Sequence, residues 1–165
     1  MATIDMTRHQ GSAGVALVEL ASRKQQHYIV RTDIKAEQSE DGDIVSFIET
    51  KFPYKPTMAE IKNFVHAVIN EQVKADILSG FVWNGNPVWL SEENQMNWTQ
   101  AVVPATFKIG EEADGTPIYH TFTSYEEMTA FNEEWKTYIQ QRLAVGWARK
   151  DGYDFTEYER QLSEV

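Results

Sequence analysis

The chain has 165 residues, 42% of them hydrophobic, which is enough to bury the core of one domain and an appendage. Its formal net charge of −10 argues against a basic face for nucleic acid and favours protein partners. The absence of cysteine excludes disulfide frameworks, thiolate nucleophiles and cysteine-type zinc sites.

The start of the chain shows no targeting pattern. Residues 1–20 lack a basic start followed by a long apolar run, so we predict no signal peptide. The apolar stretches fall short of the roughly 20 residues that span a bilayer, so we expect no membrane partner.

Residues 1–13 are mixed and polar, and they predict a flexible N-terminal arm that orders against a partner. An ordinary frayed terminus is the alternative. Residues 15–20 and 26–34 then favour two strands, because apolar and polar side chains alternate in the second. The acidic residues 36–43 are read as a solvated loop, since the spacing of the acids does not fit a calcium-binding EF-hand.

The next segment predicts a third strand and then a boundary. Residues 44–52 are rich in β-branched and aromatic side chains, which is typical of a strand. Pro53 and Pro56 then interrupt the chain. We therefore expect residues 14–52 to form a β-rich attachment segment and residues 53–148 to form a compact α+β domain.

The first helix should run from about residue 58 to residue 78. Thr57 and Glu60 form a capping box at its start, and Gly80 follows its last turn. Apolar residues recur at three- and four-residue spacing along one face, which indicates an amphipathic helix.

A short hairpin and a second helix follow in residues 79–99. Asn84 and Gly85 supply the turn, because both residue types accept positive φ. Ser91 is the predicted N-cap of a helix that continues to about Val103 and ends at Pro104.

The remaining residues predict a second hairpin and a third helix. Residues 105–109 and 118–122 are the strands of this hairpin, and Ser124 begins the third helix with a capping box. Gly146 is expected to loosen or end that helix. Residues 149–165 form either a C-terminal tail or a short helix docked by its aromatic side chains. The fold class is therefore α+β, with three helices and two β-hairpins in the C-terminal domain, preceded by a β-rich N-terminal segment.

No pattern in the sequence indicates catalysis. There is no nucleophile elbow and no glycine-rich phosphate loop, and the four histidines fall in separate predicted elements. Adjacent glutamate pairs such as Glu133-Glu134 do not share a helix face, and pairs at helix starts serve the helix dipole. We predict no catalytic residue, no metal site and no cofactor.

Five apolar residues are the candidates for an interface. Trp89 alternates with the apolar residues Val88 and Leu90, which would place its ring on the opposite, exposed face. The alternative is that this ring fills a gap under a neighbouring helix. The predicted arm and first strands are the expected docking surface. The full candidate set is Trp89, Val15, Leu17, Tyr28 and Val30.

The stretch GFVWNGNPVWLSEENQMNW resembles a small domain of unknown function in structural and tail-fibre-associated proteins of tailed bacteriophages. The residues that carry the pattern are Gly80, Phe81, Trp83, Asn84, Gly85, Leu90, Ser91, Glu93, Asn94 and Gln95. The flanking sequences KPTMAEIK, ATFKIG, PIYHTF and LAVGWARKD are similar to versions from phages and prophages of Bacteroidales. The resemblance covers residues 53–155 and is absent over residues 1–42.

The resemblance implies a non-enzymatic virion structural protein, assembled in the host bacterial cytoplasm. It would be a small adaptor or fibre-base subunit on the head or tail, as a head fibre or tail fibre component. The implied partners are other copies of the chain in a homo-oligomer, and phage capsid, tail or fibre proteins. A fibre-assembly chaperone absent from the virion is the alternative, and a glycan-binding module is a third.

Overall fold

A computed structural model describes residues 4–37 and 44–165 of the chain. Those residues form a mixed α+β fold with four helices and three antiparallel sheets. The chain divides into two compact units. Unit 1 comprises Met1–Glu71 and Lys150–Val165, and unit 2 comprises Gln72–Arg149.

The elements follow one another along the chain in a simple order. The strands are β1 (Arg8–Ser12), β2 (Val18–Ser22), β3 (His27–Glu37), β4 (Ile44–Phe52), β5 (Phe81–Trp83), β6 (Asn86–Val88), β7 (Ala105–Glu111) and β8 (Pro117–Phe122). The helices are α1 (Met58–Ser79), α2 (Glu92–Thr99), α3 (Tyr125–Asp151) and α4 (Thr156–Glu164).

Unit 1 is built on a four-stranded antiparallel sheet with the order β1-β4-β3-β2. β1 and β2 are therefore the edge strands. Val30 lies between Val18 and Thr50 in the register and has no exposed surface, as the alternation in β3 predicts. The acidic loop predicted over residues 36–43 begins later than expected, because Ala36 and Glu37 belong to β3 and pair with β4; residues 38–43 lie outside the described residues.

The helices of unit 1 are fixed at identifiable points. At the start of α1, the amide of Thr57 donates to Glu60 at 2.8 Å, and the amide of Glu60 donates to the Thr57 hydroxyl at 3.3 Å. This reciprocal pair is the predicted capping box. In α4, Tyr158 is 2% exposed and donates its hydroxyl to the carbonyl of Arg31 at 2.8 Å. The C-terminal segment is therefore a docked helix.

Unit 2 is organised by two hairpins around an aromatic core. Asn84 and Gly85 both have positive φ, at 49° and 79°, which is the type I′ turn that the residue types favour. β6 lies beside β7, where the amide of Trp89 donates to the carbonyl of Ile109 at 2.8 Å. The buried core residues are Phe81, Trp83, Val88, Leu90, Trp98, Ile109, Phe122, Met128, Phe131 and Trp135.

Several sequence expectations need correction. The expected arm of residues 1–13 contains β1, which pairs with β4 through its main chain, a partner that a polar sequence does not reveal. Three helices were expected in the C-terminal domain, followed by a tail or a docked helix; the described residues contain four helices, because α4 takes the docked alternative. The two units divide within α1 and α3, and not beside Pro53 and Pro56, since the first part of α1 groups with the sheet.

Two helix ends also differ from expectation. α2 ends at Thr99 and does not reach Val103 as expected. Its last turn is closed by the amide of Gln100, which donates to the carbonyl of Met96. α3 continues past Gly146 to its end at Asp151. Gly146 is buried, and a Cβ atom there would lie 2.7 Å from Cγ2 of Val73. This glycine allows α1 and α3 to approach closely and does not end the helix.

Candidate interaction surfaces

The polar residues of the hairpin motif are used to hold the motif together. The hydroxyl of Ser91 accepts from the amide of Asn94 at 3.2 Å and caps α2. The Asn94 side chain donates to the carbonyl of Trp89 at 2.9 Å, and the Gln95 side chain donates to the carbonyl of Leu90 at 2.7 Å. These three side chains bind the main chain between β6 and α2, so they stabilise a corner of the fold.

Trp89 is 40% exposed, while Val88 and Leu90 on either side of it are buried. This is the alternation that the sequence predicts. The ammonium group of Lys108 lies 5.6 Å from the centre of the Trp89 ring, a cation–π contact that partly covers its face. The ring is therefore at the surface of unit 2, and its role in an interface stays a prediction.

The other four candidate interface residues lie in unit 1 but differ in accessibility. Val15, Leu17 and Tyr28 are half-buried, and each retains some accessible surface. Val30 is completely buried in the sheet, so it offers no surface for docking in this conformation. Val30 is buried because β3 is a central strand, which lies between β4 and β2.

Arg31 forms a buried ionic cluster on β3 that the sequence analysis missed. Its guanidinium contacts Glu19 at 2.7 Å and Glu49 at 3.2 Å, and it donates to the carbonyl of Ala16 at 3.0 Å. The same group lies 5.1 Å from the centre of the Phe47 ring. With an exposed fraction of 8%, it needs these partners, because an unpaired buried charge is costly.

β1 is the most accessible strand of the sheet. Four of its five residues are exposed, and among the described residues its main chain pairs with β4 on one side only. Arg8 anchors the strand by donating to Asp33 and to the carbonyl of Ser46, at 2.6 Å and 2.9 Å. The outer edge of β1 therefore presents main-chain groups that another strand could pair with.

A second candidate surface is a groove in unit 2 between β5 and α3. It has a volume of about 660 Å³ and is lined by Phe81, Val82, Ala130, Glu133, Glu134, Thr137, Tyr138 and Gln141. We call it the β5–α3 groove. Glu133 and Glu134, which were not expected to share a helix face, both line this groove. Sequence alone gave no sign that β5 lies beside it.

A hydrogen-bonded set at the start of α3 has a shifted carboxylate. Glu127 accepts from the amide of Thr123 at 3.0 Å and contacts the His120 ring at 2.7 Å. These hydrogen bonds hold the pKa of Glu127 below its ordinary value. The bond from the Thr123 amide has the largest effect, and the contact with His120 follows. The amide of Glu127 donates to the Ser124 hydroxyl at 3.2 Å, which is one half of the predicted capping box, whereas the Glu127 carboxylate binds the amide of Thr123, one residue before the cap.

Within the described ranges, no group of three or more histidine, aspartate or glutamate side chains is arranged to hold a metal ion. In the same ranges, the helices lack a segment with the length and apolar character that a bilayer crossing requires.

Comparison with known proteins gives no match to any family model, to any curated protein or to any solved structure.

Proposed function

We propose that this chain is a non-enzymatic structural protein of a tailed-phage virion, a small adaptor or fibre-base subunit on the head or tail. It would act as a homo-oligomer that contacts capsid, tail or fibre proteins. The proposal is based on the resemblance across residues 53–155 and on the polar side chains of the hairpin motif, which bind main-chain groups of the motif itself.

The first support comes from the hairpin motif that carries the resemblance. Ser91, Asn94 and Gln95 bind main-chain groups of their own corner, so they are engaged in stabilising the fold. A motif of this kind maintains a shape that other proteins can recognise.

The observation that carries the proposal is the position of β1 at the edge of the sheet in unit 1. The resemblance does not extend to residues 1–42, so this segment differs from that of the proteins it resembles. Its exposed edge strand fits a docking segment, because an edge strand can extend the sheet of a second copy or of a neighbouring protein.

The test is to purify particles of the phage or induced prophage that encodes the chain and to quantify their proteins by mass spectrometry. We expect the chain in intact particles at a fixed ratio to the major capsid or tail protein. The number of copies per particle should be a multiple of the symmetry of the site at which the chain attaches. Labelling a tagged chain for electron microscopy would then distinguish head from tail.

The same measurement separates the alternative of a fibre-assembly chaperone. A chaperone would be abundant in the infected-cell lysate and absent from density-purified particles. That result would contradict the proposal. A glycan array tests the third function, and specific binding lost in a Trp89→Ala variant would favour it.

A further inference from the structure

We propose that the β5–α3 groove binds an extended peptide segment of a partner protein that carries basic side chains next to aliphatic ones. The inference concerns unit 2 alone and does not depend on the virion assignment. It combines three features of the groove, which are a free strand edge, an apolar floor that is held in place and two unpaired acids.

The strand edge follows from the geometry of the hairpin. In a hairpin with a two-residue type I′ turn, the residues flanking the turn, Trp83 and Asn86, exchange hydrogen bonds. The next pair, Val82 and Pro87, is then a non-hydrogen-bonded pair, which suits a proline without an N–H group. The N–H and C=O of Val82 therefore point away from β6.

The groove lies at this outer edge of β5. It is lined by Phe81, which is buried, and by Val82, which is 60% exposed, so residues from both faces of the strand border it. No residue of β6 is among its lining residues. An added strand would therefore pair with the main chain of Val82 without displacing any part of the hairpin.

The apolar floor is fixed before any ligand arrives. The rings of Phe81 and Tyr138 lie 5.3 Å apart, and the Tyr138 hydroxyl donates to the carbonyl of Asp76 at 2.7 Å. The guanidinium of Arg142 lies 5.4 Å from the centre of the Tyr138 ring. A floor that is already ordered loses little conformational entropy on binding, and it would accept an aliphatic side chain.

The charge of the groove selects the class of partner. Glu133 and Glu134 line it on α3, and neither makes an ion pair with any described residue. Two unpaired carboxylates beside a strand edge favour lysine or arginine side chains on the added strand. A second copy of the chain, with a net charge of −10, is the less complementary occupant.

The experiment uses the full chain and four blocked synthetic octapeptides. Two alternate valine with lysine or with glutamate, and a third alternates valine with serine. The fourth is the valine–lysine peptide with N-methylated central valines, which cannot donate to a strand edge. Binding is followed by NMR chemical shifts and by titration at two salt concentrations.

We expect saturable binding of the valine–lysine peptide alone, with shifts at Val82 and Tyr138 and weaker binding at higher salt. The double variant Glu133→Gln/Glu134→Gln should weaken this binding by about fivefold, since exposed ion pairs are individually weak. The control variant Glu112→Gln/Glu126→Gln removes the same charge from exposed positions of unit 2 outside the groove lining. It should leave the affinity within about twofold of the parent.

Several results would overturn the inference. They are no saturable binding of the valine–lysine peptide, equal binding of the glutamate or N-methylated peptide, or shifts that map away from the groove. Self-association of the chain that protects the same groove residues would assign the site to a second copy and would also overturn it. Circular dichroism of each variant checks that the fold is retained. None of these outcomes changes the particle measurement, so the two proposals fail separately.

Discussion

Arg31 is the residue for which burial and charge are most directly in competition. Its guanidinium is nearly inaccessible, yet it contacts two carboxylates, a carbonyl oxygen and an aromatic ring. Such a cluster adds little stability over a well-packed apolar residue, but removing one partner leaves the others unpaired. The cost of breaking the cluster is therefore larger than its net contribution.

We predict that Arg31→Ala lowers the free energy of unfolding by about 3 kcal/mol, because Glu49 then keeps a half-buried carboxylate without its cation. Urea denaturation followed by far-ultraviolet circular dichroism measures the loss. Hydrogen exchange should place it in unit 1. The control Arg23→Ala changes an exposed arginine and should cost less than about 0.5 kcal/mol. Equal effects of the two variants would contradict the prediction.

Glu127 makes a pH-dependent contribution to unit 2. Its pKa is lower in the folded chain than its ordinary value of 4.5, so the carboxylate stabilises the fold above that value. The contribution is lost as the pH falls through the folded pKa, because the protonated group no longer accepts the same hydrogen bonds.

We therefore predict that Glu127→Gln lowers the Tm by a few degrees at about pH 7 and that the difference shrinks as the pH falls below 4.5. Thermal unfolding across this range measures the difference. The neighbouring variant Glu126→Gln removes one charge from the same helix turn and should give a smaller change in Tm at about pH 7. A Glu127→Gln difference that stays constant with pH would show that the carboxylate charge is not the cause.

At the scale of elements, the approach of α1 and α3 within unit 2 depends on Gly146. Glycine within a helix normally costs about 1 kcal/mol relative to alanine. Here a Cβ atom would lie 2.7 Å from Cγ2 of Val73, closer than packed carbon atoms normally approach. The helix therefore accepts a poor helix former because the two helices are close at this point.

We predict that Gly146→Ala destabilises unit 2 by about 1–2 kcal/mol despite the better helix propensity. The double variant Gly146→Ala/Val73→Ala should be more stable than the sum of the two single changes by at least about 1 kcal/mol, since the methyl group that clashes is removed. All five tryptophans lie in unit 2, so their fluorescence reports its unfolding. The exposed control Ala144→Gly gives the propensity effect alone, and strict additivity would contradict the prediction.

At the scale of the whole molecule, the two proposed surfaces lie in different units, with β1 in unit 1 and the groove in unit 2. Each unit therefore has its own candidate surface, and the surfaces can be tested independently. The proposed assembly through β1 needs only the strand edge, whereas the groove needs a basic partner.

A photo-reactive benzoylphenylalanine at Ser12, an exposed residue of β1, is expected to cross-link to a second copy or to a virion neighbour in purified particles. The matched control places the same group at Ser163, an exposed residue of α4. Mass spectrometry identifies the cross-linked peptides. A yield at position 12 no higher than at position 163 would exclude β1 as a docking strand.

The sequence by itself determined most of the elements, because their signals are local. The capping box at Thr57, the turn at Asn84 and Gly85, and the β-branched run of β4 each depend on residues a few positions apart. The α+β class follows from these signals. The exposure of Trp89 agrees with the alternation of apolar residues around it, although the sequence left burial under a neighbouring helix as the alternative.

Only the tertiary structure decided what depends on partners far along the chain. β1 has no apolar pattern and becomes a strand because β4, more than thirty residues later, offers its edge. Arg31 looks like an exposed strand residue until Glu19 and Glu49 are brought beside it. Gly146 reads as a helix end until Val73 is seen against it. In each case the deciding contact joins residues far apart in sequence, which local propensity and periodicity do not encode.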